Sequence, residues 1–158
     1  MTQNNLGIAL EEQGIRTSGE ESPRLLGEAV AAYRSALEVF TREQLPGRWM
    51  VSRKNEGLAL EALGRFAEAA VAYREVLELD PENSGLVHTL LLLYNDRLHD
   101  AASALKLAES WLERHSEDAW VAMLLPEWLF ATRNFQKPAF RAFQVMWGSG
   151  TTHRSRLR

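Results

Sequence analysis

The twelve residues EAVAAYRSALEV (Glu28 to Val39) return forty positions later as EAAVAYREVLEL (Glu68 to Leu79), identical at seven positions. Ala29, Val30, Ala32, Tyr33, Ala36, Leu37, Val39 and Phe40 of the first copy recur at steps of three and four, which lines one side of a helix. Upstream of each copy lies a second shared stretch, NNLGIALEEQG (Asn4 to Gly14) and KNEGLALEALG (Lys54 to Gly64), identical at six of eleven positions and also helical in period. Each unit is therefore a pair of amphipathic helices. Such a pair cannot cover its own apolar faces, and stacking on a neighbouring pair is the physical reason for repetition.

Small residues are needed where two helices approach closely. Gly7 and Gly57 in the first helices, with Ala29 and Ala69 in the second, allow spacing toward the lower end of the usual interaxial distance of about 8–10 Å. Leu10, Leu60, Tyr33 and Tyr73 are expected to fill the gaps beside them.

With Gly57, Leu60, Gly64, Ala69, Tyr73, Val76 and Pro81 in place, residues 51–83 resemble the tetratricopeptide repeat family and its 34-residue pattern. The first unit fits at Leu6, Gly7, Leu10, Ala29, Tyr33 and Ala36, with about ten extra residues between its helices (Ile15 to Arg24). That insertion is rich in turn formers and reads as a long loop or as a loop with the second helix extended at its start, with Pro23 suited to opening the next helix. A third unit, Gly85 to Asp118, keeps Tyr94 and Ala104. The fourth is atypical, with Pro126 where the glycine belongs and Pro138 where the alanine belongs. Proline inside a helix costs about 3 kcal/mol, which predicts a kinked or split seventh helix at Pro126 and an eighth helix opening near Lys137.

The expected fold is all-α, with helices over 2–14, 23–43, 48–63, 66–79, 83–97, 100–115, 118–131 and 136–147. The resemblance implies one domain over residues 1–147, a right-handed α-solenoid of four antiparallel helix pairs. Its units are 1–46, 47–83, 84–118 and 119–147. The basic tail 148–158 (GSGTTHRSRLR) reads as disordered. WMVSRKN (Trp49 to Asn55) aligns with the first residues, MTQNN, so the chain starts within the repeat phase, as a piece of a longer array would.

Members of the family bind proteins or extended peptides in a groove lined by the first helix of each pair. By alignment the resemblance places Asn4, Asn5, Ile8, Glu11 and Glu12 of unit one in such a groove. Unit two contributes Lys54, Asn55, Leu58 and Glu61, and unit three His88, Thr89, Leu92 and Asn95. Asn5 and Asn55 occupy the same repeat position, and a carboxamide there can donate and accept at once along an extended peptide. The alternative is that both amides bond within the scaffold. Of the basic clamp by which some members hold a terminal carboxylate, only Asn55 matches, which disfavours chaperone-tail binding.

Other classes find little support. Zero cysteines remove disulfides, thiolate catalysis and thiolate metal sites, and the four histidines form no close ligand pairing, so neither metal nor other cofactor is expected. No Gly-rich phosphate loop, nucleophile elbow or triad is visible, and the expected chain is not an enzyme. The N-terminus lacks a basic-then-apolar signal pattern and the longest apolar run is far short of a bilayer span, which reads as a cytoplasmic chain without membrane insertion.

No acid follows Glu127, but the six bases beyond it are scattered, and nucleic acid is disfavoured. Eight of the fourteen aromatics crowd the last third, and Phe140, Phe143 and Trp147 form one stripe. Self-association through that stripe, as a homodimer, is the alternative to partner binding; a regulatory segment of a larger effector protein is another.

Overall fold

The computed structural model describes residues 2–131. Within them the chain is helical throughout: α1 (Gln3–Arg16), α2 (Glu21–Val39), α3 (Pro46–Ala62), α4 (Phe66–Leu79), α5 (Ser84–Leu92), a π-helical turn (Leu93–Arg97), α6 (Ala101–Leu112) and α7 (Ala119–Ala131). The chain divides into two compact units, one through Leu86 and one from Val87.

In the first unit, α1 packs on α2, α2 on α3 and α3 on α4, and α1 also touches α3. Small and apolar side chains make this ladder possible. Leu25, Leu26, Ala29, Val30, Ala32, Tyr33 and Ala36 of α2 are buried, as are Ala59 and Leu60 of α3 and Ala69, Ala70, Ala72, Tyr73 and Val76 of α4. Each fully buried Leu, Val or larger apolar side chain contributes about 1.5–3 kcal/mol by leaving water.

The glycines meet the tyrosines expected to fill the gaps beside them. A Cβ built on Gly7 would lie 2.6 Å from Cε1 of Tyr33, and one on Gly57 closer still to Cε1 of Tyr73. The missing side chain thus makes a socket for the ring of the partner helix's tyrosine.

Helix ends follow local chemistry. The Thr2 hydroxyl accepts from the Asn5 N–H at 3.4 Å and caps α1. α3 opens on Pro46, whose missing N–H is no loss in a first turn. It closes at Gly64 with φ +73°, where the Arg65 N–H reaches the Leu60 carbonyl at 2.8 Å and the Gly64 N–H that of Glu61 at 2.9 Å. This is the paired closure that a left-handed residue allows. The insertion is mostly helical rather than a long loop: α1 continues to Arg16 and α2 starts at Glu21, leaving only Thr17 to Glu20 as the turn. The Ser22 hydroxyl ties that turn to the Gly14 carbonyl at 2.8 Å, and Pro23 sits in the first turn of α2.

In the second unit Val87, Leu90, Leu91, Leu93, Tyr94, Ala104, Leu105, Ala108, Trp111, Val121, Ala122, Leu125 and Trp128 form the core. The helix expected over 83–97 changes pitch at Leu93, where the π-helical turn begins. α6 packs on that turn and on α7. Asp100 caps α6 by accepting from the Ser103 N–H at 3.0 Å. α7 runs through Pro126 unbroken, so the helix is not split there. The expected eighth helix, Pro138 and the tail lie outside the described residues.

Candidate partner-binding site

The residues that alignment assigns to a groove fall into two groups. Some are bound into the scaffold. Asn4 accepts from the hydroxyl of buried Ser52 at 3.0 Å, joining α1 to α3. Glu11 accepts from the Tyr33 hydroxyl at 2.6 Å and Glu61 from the Tyr73 hydroxyl at 3.0 Å, one repeat apart. Burial raises the Glu11 pKa against the opposing effect of that hydrogen bond, with the neighbouring Glu12 charge adding to the rise. Burial beside these carboxylates also raises both tyrosines well above the ordinary phenol range. Each tyrosine therefore remains a neutral donor, and each pair anchors its ring on the glycine socket.

The other group is left open. Among the described residues the Asn5 and Asn55 carboxamides and the Lys54 ammonium make no hydrogen bond or ion pair. Ile8 and Leu58 are 38% and 40% exposed, two of several aliphatic side chains that stand open on the described residues. The open positions keep repeat register: Asn5 answers Asn55 and Ile8 answers Leu58, fifty residues apart. α1 and α3, which carry them, are in contact.

A buried ionic cluster holds these helices in place. Glu56 of α3 is 0% exposed, accepts from Arg34 Nε of α2 at 2.7 Å, and pairs with Arg53. Arg53 continues to Glu75 of α4 at 2.6 Å, and Arg34 reaches Glu68 at 3.4 Å. One carboxylate thus joins α2, α3 and α4. Burial alone would lower the Arg53 pKa, but hydrogen bonds and charge from Glu75 and Glu56 outweigh it and raise the value. The alignment gave no hint of this cluster, because Arg34 and Glu56 lie 22 positions apart.

In the second unit, the aligned positions have other partners. His88 donates through Nε2 to the Asp118 carboxylate Oδ2 at 2.9 Å, and its ring lies 4.4 Å from that of Trp120. The same Asp118 oxygen accepts from Trp111 Nε1 at 2.8 Å, while Oδ1 accepts from the Val121 N–H at 3.1 Å and caps α7. Burial opposes the charge on Asp118, but these hydrogen bonds, with the favourable field of His88, bring its pKa below the ordinary carboxylate value. Asn95, in the π-helical turn, accepts from Trp128 Nε1 at 2.8 Å. Thr89 is half-buried and Leu92 is 44% exposed. Asp118 carried one legible signal, a short polar residue before an apolar run. Its partners His88 and Trp111 carried none. Phe140, Phe143 and Trp147 lie outside the described residues.

Among the described residues no three His, Asp or Glu side chains are grouped to hold a metal ion, and no helix is long and apolar enough to cross a membrane. No curated protein matches the chain. The family model described as Tetratricopeptide repeat matches residues 52–83, which span most of α3 and all of α4. The helix pair with its glycine socket, tyrosine ring and left-handed closing glycine is thus the part of the chain that is similar to a tetratricopeptide repeat, and the match supports that family for residues 52–83.

Proposed function

We propose that the chain is a noncatalytic module that binds a protein partner through an extended peptide segment laid across α1 and α3. Tetratricopeptide repeats suggest protein–protein interaction and are typically noncatalytic. One observation supports the finer reading. Of the side chains that recur between the first helices of the two pairs, the glycines and glutamates are used by the tyrosines, whereas Asn5, Asn55, Ile8 and Leu58 are left without a structural task. Two amides can satisfy peptide backbone groups of any sequence, and two aliphatic side chains can cover apolar residues between them. A scaffold already ordered by its own packing adds little ordering cost to binding.

A displayed peptide library, selected on the wild-type chain and re-measured on the Asn5→Ala, Asn55→Ala variant, tests this. Each amide hydrogen bond is worth about 0.5–1.5 kcal/mol, so the selected peptides should lose roughly five- to a hundredfold in affinity. Unchanged binding would show that these positions are not the contact surface.

A further inference from the structure

At one end of the first unit a hollow of about 320 Å³ opens between the start of α1, the end of α2 and the start of α3. Thr2, Asn4 and Asn5 line one side, and Phe40, Gly47, Arg48, Val51 and Ser52 the other. Its volume is at the lower end of ligand pockets, about 300–1,000 Å³, which suits one or two side chains of a partner.

The charge in this hollow is unbalanced. Arg16, Arg24, Arg34, Arg42, Arg53 and Arg65 each pair with a glutamate. Arg48 pairs with none among the described residues, and its guanidinium lies 5.4 Å from the centre of the Phe40 ring. No carboxylate lines the hollow. Attraction to the ring face holds the guanidinium near Phe40, and with no carboxylate of the described residues paired to it the guanidinium can receive one from a ligand. The remaining wall is apolar: Val51 is 52% exposed beside half-buried Phe40. Thr2 and Ser52 already have partners in the Asn5 N–H and the Asn4 Oδ1, which leaves the carboxamide N–H groups of Asn4 and Asn5 as open neutral donors.

We infer that this hollow takes an acidic side chain of a partner protein, with an adjacent apolar residue on Val51 and Phe40, and that Arg48 is the counterion. The inference rests on reading the chain as a binding module, but not on the Asn55 and Leu58 contacts.

Two capped hexapeptides, one with adjacent glutamate and leucine and the other with glutamine for glutamate, are titrated calorimetrically into the full chain. Blocked termini ensure that any carboxylate is a side chain. The glutamate peptide should bind about fivefold more tightly, the upper end for an exposed ion pair, and the preference should fall with salt. Arg48→Gln should abolish the preference. Gly47→Leu should weaken both peptides, because a Cβ there meets nothing within 4 Å and the added side chain grows into open space without disturbing the fold. Equal affinities, no binding of either peptide at millimolar concentration, or a preference that survives Arg48→Gln would overturn the inference. A preference lost with Arg48→Gln but indifferent to Asn55→Ala would keep the hollow and count against the groove. Library peptides that depend on Asn55 while both hexapeptides bind alike would keep the groove and reject the hollow.

Discussion

The two compact units solve the same packing problem with different chemistry. In the first, a tyrosine ring rests on a glycine and its hydroxyl donates to a glutamate; the arrangement occurs at Gly7, Tyr33 and Glu11 and again at Gly57, Tyr73 and Glu61. In the second, indoles carry the load. Trp111 is anchored on Asp118 and Trp128 on Asn95, both rings buried and neither contact repeated among the described residues. A repeated contact is modular, since each copy depends only on its own helix pair. A single node such as Asp118, which joins His88, Trp111 and the start of α7, concentrates its interactions in one residue. Local exchange of amide hydrogens separates the two behaviours, because it reports opening segment by segment.

The largest effect is expected where the first unit departs from modularity, at the unrepeated ionic cluster around buried Glu56 that ties its two helix pairs together. Replacing Arg34 and Arg53 together by glutamine leaves the carboxylate of Glu56 buried without a cation, and should cost about 3–5 kcal/mol in denaturant unfolding. Glu56→Gln should cost clearly less, because Arg53 keeps Glu75 and Arg34 keeps Glu68. Equal losses would mean that the cluster does not act as a charge pair.

A smaller effect is expected at the socket. Gly57→Ala forces a methyl group into the Tyr73 ring and should cost about 1–3 kcal/mol, with faster exchange in α3 and α4. Gly7→Ala should act alike on α1 and α2. Pairing Gly57→Ala with Tyr73→Leu should recover part of the loss as a non-additive term. Strict additivity would separate the ring from the glycine and end the comparison in its present form.

The smallest expected loss is at the node. Asp118→Ala removes a helix cap worth about 0.5–2 kcal/mol and frees the donors of His88 and Trp111, so exchange should quicken first at the opening turn of α7. Acid acts on the same residue. The pKa of Asp118 lies below its unfolded value of about 3.9, so its contribution is complete above that pH and disappears as pH falls through the lower folded value. Glu11 has the opposite sign. Its raised pKa makes ionisation a cost in the folded state, and protonation on acidification relieves it. Protection at the start of α7 should therefore fall before that around Glu11 as the solution is acidified; the reverse order would contradict the assignment of Asp118 as the node.

The sequence made the helix pairs readable because period and repeat are local properties. The expected α4, 66–79, is the observed one, and the closing glycine at 64 stands where the pattern requires it. Of the two readings of the insertion at 15–24, the extended second helix is the one observed and the long loop is not: Gly and Ser favour turns locally, whereas α1 and α2 continue while packed on each other. The helix expected to be kinked or split at Pro126 is not split, for a related reason. Proline removes one hydrogen bond, but the buried Val121, Ala122, Leu125 and Trp128 hold the flanking turns in place. For the candidate site, alignment named the positions on the first helices but not their states. Whether Asn4 was open or bonded depended on Ser52, 48 residues away, and whether Asn95 was open depended on Trp128, 33 away.

By itself, then, the sequence determined that the chain forms paired helices that must stack, because apolar spacing and repeated small residues are carried by each segment alone. Only the tertiary structure decided that Gly7 and Gly57 serve tyrosine rings, that Glu11 and Glu61 anchor those rings, and that Asn5, Asn55, Ile8, Leu58 and Arg48 are left over. The reason is that a polar side chain takes whichever partner packing brings within hydrogen-bond reach, and that partner can lie anywhere along the chain.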